Sequence, residues 1–269
     1  MNKLVILVLL FAFVACQEKS QKQKTNEEGS LDVPMQEMTL KEYPVDFAKV
    51  LEAHGGIDQW RKEKTLRYEI GAPGEGEQQI IDLHRRMDKT ITTDYELGFD
   101  GEKAWSLNKE GEYKGNPLFR HNLMFYFYAM PFVLADPGLN YEATEDKEIL
   151  GTSYSGIKVT FNSGVGDSSS DEYYLYYDKE TYQMTWLAYK ATFGSEKKPE
   201  WANFISYDNW DLVDGILLPT SVAWHTVEEG VVGEERNRVN FNNISLSKEA
   251  KPEGFYSVPA NAVVVQDEK

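Results

Sequence analysis

The segment NPLFRHNLMFYFYAMPFVLADPG, residues 116–138, constrains this chain more than any other. Between positions 123 and 135 every residue is apolar or aromatic, in a protein carrying 44 acidic and 28 basic residues. Asn116 is a good N-cap and Pro117 suits the first helical position. Pro131 ends or kinks the helix about one residue earlier, and Asp136-Pro137-Gly138 makes a turn. The spacing predicts a helix over 117–130. A helix apolar on all sides must be buried on all sides. It is shorter than the about 20 residues needed to cross a bilayer. Other structure must therefore cover it.

The rest of the chain supplies that cover as strands. One helical opening precedes them: in DFAKVLEAHGG, Asp46 is a fair N-cap, and Phe47, Val50, Leu51 and His54 share a face before Gly55-Gly56 stops the helix. A short turn, IDQWRK, offers Ile57 and Trp60 to the same side. The period then changes to two. LRYEI alternates Leu66, Tyr68 and Ile70 against Arg67 and Glu69, and GIKVTF alternates Ile157, Val159 and Phe161 against Lys158 and Thr160. The tyrosine run 173–177 and QMTWLAY read as strands that pack both faces, although stacked tyrosines also suit sugars. Asp100-Gly101 and Asp214-Gly215 sit between strand-like runs, the strongest short hairpin signal. In RVNFNNISL the apolar residues change parity, which predicts a bulge near Asn242-Asn243. The expected fold is mainly β (α+β): about eleven strands in a strongly curved antiparallel half-barrel, with helices, including the central apolar one, in its concave face. No linker divides the body, so residues 43–265 read as a single domain.

Residues 1–15 are read separately as a leader. Lys3 gives a positive start, 4–15 an apolar stretch too short to span a membrane, and Ala15 directly precedes Cys16, the single cysteine of the chain. The pattern resembles a bacterial lipoprotein signal, which implies a lipidated Cys16 as mature N-terminus and membrane attachment through it. Residues 16–42 open with a polar stretch that has too little apolar content to order itself, and the whole segment reads as a lipidated flexible tether. Gln17 stands where aspartate marks inner-membrane retention, so the resemblance implies a lipid-anchored protein of the cell envelope at the outer membrane. Disulfides are excluded by the cysteine count. The formal charge of −16 argues against nucleic acid or an anionic bilayer surface as partner.

Five stretches together resemble the LolA/LolB-like superfamily of lipoprotein carriers and their uncharacterised lipoprotein relatives. They are AHGGIDQWRKEKTLRYEI, the long meander, FYFYAMPFVLADPG, YDNWDLVDGILLPTSV and VNFNNISLS…GFYSVP, spanning about residues 44–260. The resemblance implies a half-open barrel whose mouth is closed by helices and whose concave cavity holds acyl chains.

Chemistry-bearing motifs are sparse. The chain shows no nucleophile elbow, metal triad or phosphate loop, so it reads as a non-enzyme without cofactor. Asp82 and His84, two apart on a strand, are two ligands and not a metal site; His121 and His225 could join them only through the fold. DSSSDE at 167–172 lacks calcium-loop spacing and reads as a solvated hairpin loop. GAPGEGE at 71–77 has no lysine and is acidic. His54 reads as a helix-end residue. Two readings stay open. In one, the half-barrel binds an apolar ligand such as a lipid acyl chain, with Phe125, Phe127, Tyr128 and Phe132 as its contacts. In the other, those rings fill the cavity and the protein is a scaffold or interaction module. A hydrolase survives only through the histidines.

Overall fold

The computed structural model describes residues 43–121, 123–164, 170–192 and 198–265. The leader, Cys16 and the tether therefore lie outside the described residues, as do positions 167–169 of the DSSSDE loop.

Helix α1 (Val45–Ala53) buries Phe47, Val50 and Leu51, the face the spacing predicts. Pro44, not Asp46, takes the N-cap; Asp46 falls inside the first turn and pairs with Lys49 at 3.5 Å. The short α2 (Ile57–Trp60) follows across Gly55-Gly56. A Cβ at Gly55 would stand 2.2 Å from the Gly215 carbonyl oxygen, so only glycine lets this turn approach the Asp214-Gly215 hairpin.

Five strands come next: β1 (Thr65–Ile70), β2 (Glu77–Asp82), β3 (Asp88–Ile91), β4 (Tyr95–Phe99) and β5 (Ala104–Asn108). After the aromatic segment come β6 (Leu139–Ile149), β7 (Thr152–Phe161), β8 (Glu172–Tyr177), β9 (Met184–Lys190), β10 (Asn203–Val213), β11 (Ile216–Glu228), β12 (Val231–Ser247) and β13 (Val263–Val265). They form one antiparallel sheet of 13 strands in the order β13-β5-β4-β3-β2-β1-β12-β11-β10-β9-β8-β7-β6. The sequence reading of about eleven strands is thus corrected. The four residues of β3 and three of β13 are too few to display an alternation.

This topology fixes the place of the aromatic segment. Strand β5 lies next to one edge of the sheet and β6 is the other edge, so the connection between them must cross the whole width. It crosses on one face and touches strands far apart. Tyr128 stacks on Tyr68 of β1, while the Leu134 carbonyl accepts from Tyr141 of β6. In a flat sheet those strands would stand about 33 Å apart at about 4.8 Å per step. A segment this short reaches both because the sheet curls around it.

The single helix expected over 117–130 is two helices, α3 (Pro117–Arg120) and α4 (Leu123–Tyr128), followed by a 3-10 turn at Phe132–Ala135. Asn116 does cap the first, its side chain accepting from Leu118 N at 2.9 Å. The break lies at His121, whose ψ of 129° is extended. Its imidazole pairs with Asp88 of β3 and stacks on Phe99 of β4 at 3.8 Å, which holds the backbone out of helical geometry. The parity slip in β12 is a bulge: Arg67 pairs with Ser245 but Glu69 with Asn242, and Asn243 adopts φ 50° with its amide donating to Glu69 at 2.7 Å. The Asp214-Gly215 hairpin has positive φ at both residues, as its tight turn requires.

The main core lies between the concave face and the 123–135 segment. A smaller apolar cluster sits on the convex face. There Tyr176, Trp186, Ala188 and Phe204 are covered by Ile149 and Val232 from the ends of the long hairpins. Register shifts between Thr144 and Lys147, and around His225, bend those hairpins over. The tyrosine run accordingly serves both faces: Tyr177 belongs to the concave core, with Tyr173 packed against it, while Tyr176 belongs to the convex one, with Tyr174 beside it. No helix among the described residues is long and apolar enough to cross a membrane.

Candidate functional site

The concavity is occupied by the protein's own rings. Of the four residues expected to contact a ligand, Phe125 is 1% exposed, Phe127 9%, Tyr128 0% and Phe132 1%. Phe132 stacks on Trp60 of α2 at 4.6 Å with planes 7° apart. Tyr128 lies on Tyr68 at 4.3 Å and meets Phe241 of β12 edge-on at 4.5 Å. Phe125 carries the Arg86 guanidinium 4.9 Å above its ring, and that arginine holds Asp136 at 2.6 Å. Burial pushes the Asp136 carboxyl above its ordinary value, and Arg86 pulls the other way.

The segment is also pinned by hydrogen bonds. Short helices leave terminal carbonyls unsatisfied, and three tyrosine hydroxyls from outside the segment supply the donors. Tyr207 donates to the Phe127 carbonyl at 2.6 Å, Tyr141 to Leu134 at 2.7 Å and Tyr43 to Ala135 at 2.8 Å. Burial raises the pKa of all three hydroxyls, which keeps them protonated as donors. The Tyr128 hydroxyl, buried in the same core, has no hydrogen-bond partner among the described residues.

Phe127 differs from its three companions because it opens onto a file of half-buried rings. The file runs Phe161, Tyr173, Tyr189, Phe127, Trp224, across β7, β8, β9, α4 and β11. Successive centroids are 5.7, 6.2, 5.1 and 5.6 Å apart. The Trp224 indole N–H donates to the Tyr189 hydroxyl at 3.2 Å. That hydroxyl is pushed up by burial, against the opposing pull of the indole and of Arg236. All five rings lie on or against the concave core. Sequence reasoning placed Phe161 and the strand aromatics on strand faces but did not join them into a file. Residues far apart in sequence meet only through the register Tyr173↔Tyr189 and the curl of the sheet.

The histidines are dispersed. Strand β2 ends at Asp82, so Asp82 and His84 do not share a strand face as the sequence suggested. Asp82 instead caps the following turn, accepting from the His84 and Arg85 amides at 3.1 and 2.8 Å and pairing with Arg85 at 2.7 Å. His84 itself reaches the Arg61 carbonyl at 3.1 Å. His54 is fully buried, with Nδ1 on the Val50 carbonyl at 2.8 Å, Trp210 edge-on at 4.8 Å, and a pKa lowered by burial to about 4. His121, the C-cap of α3, pairs with Asp88 of β3, and His225 lies on the convex face between Ser206 at 2.9 Å and the Gly233 carbonyl at 3.0 Å. Among the described residues, no group of three or more His, Cys, Asp or Glu could hold a metal ion. GAPGEGE is the turn between β1 and β2, with the Gly74 amide donating to Glu69 at 3.0 Å.

Residues 102–234 match the model of a family of unknown function (DUF6503). No curated protein matches the chain. Among solved structures, the chain is similar to a LolA superfamily protein from Nitrosomonas europaea: 12% identity, TM-score 0.46, covering 78% of this chain and 96% of that one. It is also similar to a putative outer membrane lipoprotein-sorting protein domain from Vibrio parahaemolyticus, at 10% identity and TM-score 0.38, over 76% of this chain and 95% of that one. A third similar structure is the lipoprotein LppX of Mycobacterium tuberculosis, at 12% identity and TM-score 0.25, over 55% and 90% respectively.

Proposed function

We propose that this chain is a non-enzymatic, membrane-anchored envelope protein that holds an apolar chain, such as a lipid acyl chain, against the file Phe161–Tyr173–Tyr189–Phe127–Trp224. The file carries the reading. Binding sites for apolar ligands are concave and aromatic, with a few polar groups to orient the guest. Four of these rings, Phe161, Tyr173, Tyr189 and Trp224, are half-buried on the concave face and Phe127 lies buried among them, so a ligand can reach the file without unfolding the core. Phe127 is then the ligand contact within the segment, and Phe125, Tyr128 and Phe132 form the packed floor beneath it. Native mass spectrometry of the mature chain lacking Cys16 tests this directly. Co-purified lipid, or quenching of Trp224 fluorescence by a brominated fatty acid, supports the reading. Absence of both, with no change in a Phe127→Ala variant, defeats it.

The second reading, a scaffold of the same fold, is favoured by one observation: the floor rings are fully packed by protein. The same experiment separates the two, since a scaffold binds no alkyl probe. In either case Cys16 is the proposed anchor. A Cys16→Ser protein should leave the membrane fraction, and one that stays bound after a salt wash would contradict the anchor.

A further inference from the structure

We infer that the chain held on the ring file belongs to an amphiphile with an anionic head, which Arg236, Asn203 and Asn237 receive at the rim. This rests on the reading above and adds the chemistry of the head. The inward-facing rows change character at one end of the sheet. On β8, β9 and β11 each row passes from a fully buried aliphatic residue (Leu175, Leu187, Val222) to a half-buried ring (Tyr173, Tyr189, Trp224). On β10 the row runs Tyr207, Ile205, both buried, then exposed Asn203. On β12 it runs Phe241, buried, Val239, half-buried, then exposed Asn237. The two asparagines stand directly across from the rings, Asn203 opposite Tyr189 and Asn237 opposite Trp224. The aromatic track therefore ends in amide donors where it meets water.

Arg236 adds the charge. Trp224 pairs with Asn237 and His225 with Glu235, so Arg236 is the residue left over at a bulge. Bulges re-aim a side chain out of the regular alternation. The Arg236 charge also reaches the Tyr189 hydroxyl, whose ionisation it favours. Its neighbour Arg238 is spent in ion pairs with Asp208 and Glu235, each at 2.7 Å. Arg236 is exposed and forms no ion pair among the described residues. In a chain of formal charge −16, a guanidinium within electrostatic reach of Tyr189 that forms no ion pair among the described residues is the local exception. Guanidinium and amide N–H groups together match the oxygens of a carboxylate or phosphate, and a neutral alkyl chain makes no use of them.

The test compares dodecanol, dodecanoate and dodecyl phosphate by Trp fluorescence titration at low ionic strength, with inorganic phosphate alone as a further arm. The protein is the mature chain lacking Cys16 and its Arg236→Gln variant. We expect both anionic probes to bind about two- to fivefold tighter than dodecanol, the order of one exposed ion pair. The preference should shrink with added salt and disappear in Arg236→Gln, while dodecanol affinity is unchanged. Phosphate alone should bind far more weakly than dodecyl phosphate, which assigns the site to an amphiphile and not to a free anion. Equal affinity for all three alkyl probes, or an anionic preference that survives in Arg236→Gln, overturns the head-group assignment and leaves the apolar track standing. Failure of every alkyl probe overturns the track as well.

Discussion

Replacing Phe132 with alanine separates the packed floor from the open file. Phe132 is 1% exposed and lies flat on Trp60 at 4.6 Å, itself buried. A buried phenylalanine removes about 150–250 Å² from water. At about 25 cal/mol per Å² the lower bound corresponds to about 4 kcal/mol, within the about 3–5 kcal/mol measured for such truncations in packed cores. The space left behind is walled by α2 and the sheet, so it closes poorly. Phe127 is the contrasting case: its neighbours Tyr189 and Trp224 are half-buried and can move into the space. We therefore expect about 4 kcal/mol for Phe132→Ala and about 2 kcal/mol for Phe127→Ala, since the cost depends on how far a site can collapse. Urea unfolding followed by circular dichroism gives both values, and alkyl-probe titration gives the second readout. Phe127→Ala should weaken probe binding, and Phe132→Ala should leave it unchanged wherever the variant is folded. Equal large losses of stability, with no effect of Phe127→Ala on binding, would refute the division between floor and file.

His54 predicts an acid-side loss of stability. Its folded pKa of about 4 lies below the ordinary 6.5, so the unfolded state takes up the proton first. Stability is then complete above about pH 6.5 and falls by about 1.4 kcal/mol per unit as the pH drops towards 4. A His54→Gln variant should show a flatter urea midpoint between pH 6.5 and 5, and an unchanged slope would exclude this histidine as the cause. Tyr128→Phe removes a hydroxyl without a partner among the described residues, so it should be neutral or stabilising by up to about 1 kcal/mol. Tyr207→Phe strips the Phe127 carbonyl of its donor and should cost about 1–3 kcal/mol by the same assay. Gly55→Ala combines φ 104° with a backbone atom 2.2 Å from the new Cβ and should lower the thermal midpoint far more than Gly151→Ala, where φ is 82° but the space is open. Limited proteolysis should leave one core of residues 43–265; a stable fragment ending near 150 would divide it.

The sequence by itself determined several of the elements and the faces they bury. Period-two alternation marked strands such as 66–70 and 157–161, Asp214-Gly215 marked a hairpin, and the parity slip at Asn242-Asn243 marked a bulge, because these signals are local in the chain. The apolarity of 123–135 required burial of most of the segment, although Leu123, Met124 and Tyr126 stay partly exposed. The tertiary structure decided the rest. Whether the helix over 117–130 would run unbroken depended on Asp88 and Phe99, which reach His121 from other strands. Whether the segment's rings would face a cavity or fill it depended on Trp60, Tyr68 and Phe241, brought together only by the curl of the sheet. Asn203, Arg236 and Asn237 look like ordinary polar surface in sequence. They form a rim because strand register sets two of them opposite Tyr189 and Trp224, and a bulge releases the third from the alternation. Local periodicity specifies which way a side chain points; strand order, register and curvature specify what it meets there.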